Sequence, residues 1–241
     1  MSVIRSLKNL VPFRVKRALA PLTRRFQKKY DAELKFWQAR YREDGNTFSN
    51  AHYERIMLGM SEQNDSAFLD GKIVADFGCG PRGSLAWIKN ASMKIGIDIL
   101  VDMYVDNFSS LPTKHGMAYL KSTENVIPLP DGFVDIMYSV NAIDHVDNFE
   151  AMCDEIIRVV KPGGELIFSF NLEEAATVCE PQRLSEELIE RTLLSKLETL
   201  SYRVTSKGPK GNQYKPFFGD DPLSYKPGTE GYLWIRASKP A

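Results

Sequence analysis

The stretch Ile73-Val74-Ala75-Asp76-Phe77-Gly78-Cys79-Gly80-Pro81-Arg82-Gly83 sets an apolar run, a carboxylate and three glycines side by side. Such a pattern reads as a buried strand that ends in a tight loop and opens a helix. Glycines there let backbone amides come close to a ligand and permit left-handed turn conformations that a Cβ would penalise. Gly78, Gly80 and Gly83 fit the G-x-G-x-x-G dinucleotide pattern. The carboxylate of Asp76, with the amide donors of a helix N-terminus beside it, suits a zwitterion better than a pyrophosphate. A second acid, Asp98, stands 22 residues past Asp76 with Ile99 beside it. At the carboxyl end of a strand it can accept both hydroxyl protons of a ribose, which supports adenosine binding without choosing the cofactor. Farther along, Asn141, Asp144 and His145 follow another apolar run, and Glu180 lies in a later polar stretch. His145, with an unperturbed pKa near 6.5, is the group best matched to proton transfer at neutral pH. Asp144 could orient or replace it, Glu180 is a third candidate base, and Asn141 could hold a ligand through its amide.

In this order the residues resemble the class I S-adenosylmethionine-dependent methyltransferases, of the methyltransferase type 11-like group. The first motif of that family reads acidic-x-Gly-x-Gly-x-Gly. Here the third glycine falls one place late, with Arg82 where the family usually has glycine. Arg158-Val159-Val160-Lys161-Pro162-Gly163-Gly164, taken with the first motif, is specific to this class, and a dehydrogenase has no reason to show it. The resemblance implies S-adenosylmethionine as cofactor, held by Asp76, Gly78, Cys79, Gly80, Asp98, Ile99 and Asn141. It also implies that polar residues after the third strand meet the adenine. Ser122, Thr123 and Glu124 are the candidates, Ser122 standing where the family usually has aspartate. Helices before the first strand often cover the cofactor in that family, which makes His52 and Tyr53 candidate lid residues.

The elements that must position these groups follow from periodicity. Strands are expected at Ile73 to Phe77, Lys94 to Asp98, Met117 to Lys121, Phe133 to Ser139, Glu165 to Phe170, Glu198 to Ser206 and Tyr232 to Ala237. Helices are expected at Ala32 to Glu43, from a cap near Ser49 or Asn50, at Ser84 to Asn90, at Asn148 to Val160 behind an Asp147/Glu150 capping box, and at Leu184 to Leu197. Lys161 to Gly164 is expected to stop the fourth of these before the fifth strand. Alternating strands and helices predict an α/β fold, a Rossmann-like seven-stranded mostly parallel sheet with helices on both faces. In the resembled fold the last two strands form an antiparallel pair at one edge.

Charge divides the chain unevenly. Residues 1 to 30 hold nine basic side chains and no acidic one, so with a net charge of zero the remainder carries about minus nine. Ile4, Leu7, Val11, Val15, Leu19, Leu22, Phe26 and Tyr30 recur at helical spacing, with Pro12 and Pro21 expected to break or kink the helix. Residues 1 to 45 therefore read as a basic amphipathic helical extension and residues 46 to 241 as the S-adenosylmethionine-binding domain. The basic helix suits an anionic membrane surface, a solvated face packed on the domain, or a targeting peptide of organellar type, which the paucity of serine counts against. No aromatic-basic module accompanies it, which argues against nucleic acid as a partner. Cys79, Cys153 and Cys179 are too few and too scattered for a disulfide framework or a zinc site, no metal is expected, and a reducing, cytoplasmic setting is the natural reading.

The function expected is methyl transfer to oxygen or nitrogen of a small-molecule, glycan or lipid-linked acceptor, with His145, Asp144 and Glu180 as the candidate catalytic groups. Two other classes stay open at this level. One is a catalytically silent methyltransferase-like binding domain, and the other an NAD-linked oxidoreductase or epimerase.

Overall fold

The computed structural model describes residues 13–108, 115–207, 214–218 and 224–241, without the side chains of residues 13–25 and 215. Two helices, α1 (Phe13–Glu43) and α2 (Ala51–Ser61), precede the sheet. The alternating part runs β1 (Ile73–Phe77), β2 (Met93–Asp98), α3 (Val101–Asn107), β3 (Ala118–Lys121), β4 (Val134–Val140), α4 (Phe149–Val159) and β5 (Val160–Leu172). It closes with α5 (Glu186–Thr192), β6 (Glu198–Ser206), the short α6 (Lys215–Phe218) and β7 (Gly231–Ser238).

The seven strands lie in the order β3-β2-β1-β4-β5-β7-β6. Strands β1 to β5 pair in parallel, and β7 runs antiparallel between β5 and β6. This is the expected Rossmann-like sheet with an antiparallel pair at one edge. The direction of winding reverses between β1 and β4, and in open α/β sheets ligands bind at that switch, beyond the carboxyl ends of the strands. Val74, Ala75, Met137, Leu166 and Ile167 are wholly buried, as a strand covered on both faces requires.

One face of the sheet packs Phe149, Met152, Ile156 and Val159 of α4 and Ile189 of α5 against Phe168, Phe170 and Leu233. The other packs Ile56, Met57 and Met60 of α2 with Leu85, Ile88 and Trp234. A third cluster joins Leu100, Tyr104 and Phe108 to Tyr30, Leu34, Trp37, Tyr41 and Phe48. The spacing 30, 34, 37, 41 is one stripe of α1, so the basic helix buries its aromatic face against α3.

Several local expectations change. The two helical stretches foreseen between residues 1 and 43 are one helix of 31 residues that continues through Pro21. The interior proline costs about 3 kcal/mol, which good helix formers and the docked aromatic stripe offset. Pro12 and the apolar positions Ile4, Leu7 and Val11 lie outside the described residues. No helix follows the glycine loop. Residues 84–87 form turns closed by Ala86 N to Gly83 O and Ile88 N to Leu85 O bonds, three residues apart. Leu85 and Ile88 are both buried, and the chain must return to β2 within a few residues, which leaves room for one tight turn. The cap of α4 is Asn148, whose Oδ1 accepts from Ala151 N at 3.1 Å, one place after the foreseen capping box. The Lys161-Pro162-Gly163-Gly164 segment, expected to stand between helix and strand, is the start of β5, and the helix foreseen over 184–197 shrinks to α5 and a 3-10 turn. Among the described residues no helix is long and apolar enough to cross a membrane.

Candidate active site

A cavity of about 650 Å³ opens at the switch point. That size falls within the ~300–1,000 Å³ usual for small-molecule sites. Its floor is the sheet edge, with Phe77 and Gly78 at the end of β1, Asp98 and Ile99 at the end of β2, Ser122 to Glu124 after β3, Asn141 and His145 after β4 and Asn171 in β5. Its roof is helical. Lys29, Tyr30, Glu33 and Trp37 of α1 and His52 and Tyr53 of α2 face it, joined by Glu180 and Tyr214 from later loops.

The glycine loop is shaped by close approach. Gly78 and Gly80 have φ of +72° and +56°. A Cβ on Gly78 would stand 2.2 Å from that of Ala142, and one on Gly80 would stand 2.5 Å from the Trp37 ring. Neither position accepts a larger residue without displacing the wall. Asp98 is pinned by two amides, Gly80 N donating to Oδ2 at 3.0 Å and Leu100 N to Oδ1 at 2.8 Å. Burial raises its pKa to about 6 despite those bonds. Asp102, four residues on, is exposed and paired with Lys121.

Asp76 lies behind the loop, away from the cavity wall. Its Oδ2 accepts a short bond from Ser84, and its Oδ1 is buried without a hydrogen-bond partner. Burial lifts its pKa to about 7, partly opposed by the Ser84 bond and aided by the charge of Asp98. Cys79 is likewise buried, its sulfur packed on Gly96, and does not reach the cavity. The displaced third glycine has a visible consequence: Arg82 pairs with Asp44 at 3.1 Å, donates to Ser49 O and lies over the Trp37 and Phe48 rings, tying the end of α1 to the loop.

Beyond β3, Ser122 and Thr123 line the cavity, but both carboxylate oxygens of Glu124 are engaged. Tyr30 OH donates at 2.8 Å, Lys29 Nζ at 3.2 Å and Asp147 N at 3.4 Å. Asn141 adopts a left-handed φ of +47°. Its N donates to Ser169 Oγ at 3.0 Å, its Oδ1 accepts from that hydroxyl at 2.8 Å, and its Nδ2 donates to Tyr214 OH at 3.3 Å. Asn171 Oδ1, also on the wall, is buried with no partner.

His145, Asp144 and Glu180 come together at one end. His145 Nε2 stands 3.9 Å from Asp144 Oδ1 and 3.7 Å from Glu180 Oε1, while Nδ1 meets Glu33 Oε1 at 2.7 Å. Burial alone would lower the imidazole, but the Glu33 bond and the charges of Glu33, Asp144 and Glu180 outweigh it and raise the pKa to about 9. The ring is therefore a cation at neutral pH, where a residue with the ordinary value would be poised. Burial raises Asp144 to about 6, with His145 opposing and Glu180 adding to the shift. Glu33, Trp37 and Tyr30 are site residues that the sequence alone did not single out. The acid-free segment ends at Tyr30, three residues before Glu33, and the aromatic spacing of α1 was the available signal.

Residues 75–168, from β1 to β5, match the family model of the methyltransferase domain. Over that segment the chain resembles the class I methyltransferases. Malonyl-[acyl-carrier protein] O-methyltransferase of Enterobacter lignolyticus is 29% identical to it over 97 residues, 40% of this chain and 38% of that protein. The chain spans less than half the length of the curated relatives it matches. Among solved structures, a chain of the Haloferax volcanii complex between the Trm112 methyltransferase activator and a methyltransferase superposes with a TM-score of 0.61 at 18% identity, covering 87% of this chain and 98% of that one. Geranyl diphosphate C-methyltransferase from Streptomyces coelicolor, solved with Mg2+, geranyl diphosphate and S-adenosyl-L-homocysteine, gives 0.56 at 16% identity, covering 78% and 77%. Both are likenesses of fold, at identities under 20%.

Proposed function

We propose that the protein binds S-adenosylmethionine in this cavity and transfers its methyl group to oxygen or nitrogen of a small-molecule, glycan or lipid-linked acceptor. The observation that carries the reading is the coupling of the glycine loop to Asp98. The two left-handed glycines leave no room for side chains, and the carboxylate beside them, held by Gly80 N, Leu100 N and Tyr104 OH, lies on the cavity wall. That donor set fits an adenosyl group. Asp98 would accept the ribose hydroxyls, Ile99 would pack on the base, and Ser122 and Thr123 would meet the adenine edge. Gly78 and the unpartnered Asn171 Oδ1 would face the amino-acid end. Asp76 and Cys79 would act from behind the loop, Asp76 by fixing Ser84.

When bound, the cofactor supplies an electrophilic methyl on a sulfonium. The chain's part would be to hold an acceptor lone pair about 3 Å from it and keep water out, to which α1 and Tyr214, on the cavity wall, would contribute. Asn141, fixed by Ser169, would orient the acceptor, and the His145, Asp144 and Glu180 group would manage its proton.

Titration calorimetry with S-adenosylmethionine and with NAD is the direct test, with heat expected from the first and none from the second. Asp98→Ala should weaken cofactor binding about 10- to 100-fold, as loss of charge-assisted hydrogen bonds does. His145→Ala should lower turnover far more than cofactor affinity, read by mass spectrometry of a cell extract supplied with labelled cofactor. Equal losses in both, or none, reject the assignment of His145.

A further inference from the structure

We propose that Asp144, His145 and Glu180 form a binding site for a divalent transition-metal ion at the acceptor end of the cavity. The three offer one nitrogen and two carboxylate oxygens within 4.8 Å of one another. Nε2 of His145 is 3.9 Å from Asp144 Oδ1 and 3.7 Å from Glu180 Oε1, too far for hydrogen bonds. Two ligand atoms that each stand about 2.1 Å from one ion are ~3.0 Å apart at 90° and ~3.6 Å apart at 120°. The two separations from Nε2 stand a few tenths of an ångström or less above the 120° value.

Two further observations point to a ligand there. The side chain of Asp144 is only 7% exposed, yet its Oδ1, the atom turned into the group, has no hydrogen-bond partner. A carboxylate oxygen in such a place is costly without a close partner, and the imidazole 3.9 Å away makes no hydrogen bond to it. The other ring nitrogen of His145 is held by Glu33 at 2.7 Å, the carboxylate–imidazole contact that orients metal-bound histidines and fixes which nitrogen faces the ion. The ion would replace the Nε2 proton, which leaves to solvent.

One imidazole with two carboxylates favours a first-row divalent ion such as Zn2+, Co2+ or Mn2+. Three protein ligands leave a position open, and His145 and Glu180 line the cavity, so that position faces the acceptor. The chemical consequence rests on the methyltransferase reading, and the ion site itself does not. A hydroxyl of the acceptor would bind the ion through oxygen and lose its proton to solvent. Its lone pair would then form the C–O bond as the C–S bond breaks, with the electron pair going to sulfur. The site thus selects oxygen acceptors.

The test uses the full chain freed of metal with EDTA and titrated with Co2+, followed by visible absorption and elemental analysis, with S-adenosylhomocysteine binding measured on the same protein by calorimetry. One Co2+ per chain is expected, bound at least 10-fold more weakly by Asp144→Asn and by Glu180→Gln, and about 10-fold more weakly by Glu33→Gln. Retained S-adenosylhomocysteine binding certifies that a variant is folded. Should Asp144→Asn fail that check, the more exposed Glu180→Gln carries the comparison. Absence of saturable Co2+ binding, or unchanged affinity in Glu180→Gln, overturns the proposal. Co2+ uptake without S-adenosylhomocysteine binding supports the ion and counts against the transferase reading, whereas the reverse leaves that reading standing and removes the ion.

Discussion

Asp76 shows how much a single buried acid changes the behaviour of the chain. Unfolded, it titrates near 3.8, and in the folded protein near 7. Between those values the folded chain keeps a proton that the unfolded chain has lost, so stability is largest below the window and falls as pH rises through it. Asp98, raised to about 6, acts in the same direction. Asp76→Asn removes its share of this dependence. At 1.36 kcal/mol per pH unit, the parent should lose about 2–3 kcal/mol more stability than the variant between pH 5 and pH 7.5, measured by urea unfolding without ligand. Equal slopes in the two proteins would mean that Asp76 is ionised throughout. Its position in the motif was legible from the carboxylate and the glycines alone. Its retreat from the cavity was not, because the Ser84 contact depends on a turn that replaces the foreseen helix.

Among the elements, α1 departs furthest from its sequence reading. A basic, acid-free segment reads as an appendage, whereas the structure uses its C-terminal half as a wall of the site. Lys29, 6% exposed in its side chain, is paired with Glu124 at 3.2 Å and Asp147 at 3.5 Å. Removing one partner of a buried pair costs about 3–5 kcal/mol, because the remaining charge is left stranded. Glu124→Ala leaves Lys29 the longer Asp147 contact, so it should destabilise the protein by less than that, about 1–3 kcal/mol, in thermal or urea unfolding. Adding Lys29→Met should recover part of that loss, since an apolar chain of similar length needs no partner. No recovery in the double variant would place the cost in the lost Tyr30 bond. Strands β2 to β4 matched their expected bounds within one residue, since apolar runs and their punctuation are local signals.

At the scale of the whole molecule, the cavity is closed on one side by the parallel sheet and on the other by α1 and α2, which come first in the chain. A ligand filling it touches both sides at once and should couple them. Hydrogen exchange should slow together in residues 26–43 and 76–83 when S-adenosylhomocysteine binds, with little change in β6, on the far edge of the sheet. Protection confined to the glycine loop would show that α1 is no part of the binding unit.

What the amino-acid order alone determined is the set of strands, the glycine loop after β1 and the acid at the end of β2. Each is written in a few neighbouring residues whose backbone demands are met locally. Tertiary structure alone decided that Glu33 would hold His145, that Glu124 would serve α1 with partners 94 and 95 residues away, and that Arg82 would latch α1 to the loop. Such contacts join carboxylates and cations distant in sequence, and their partners are chosen by how the helix docks on the sheet. No spacing along the chain encodes that choice.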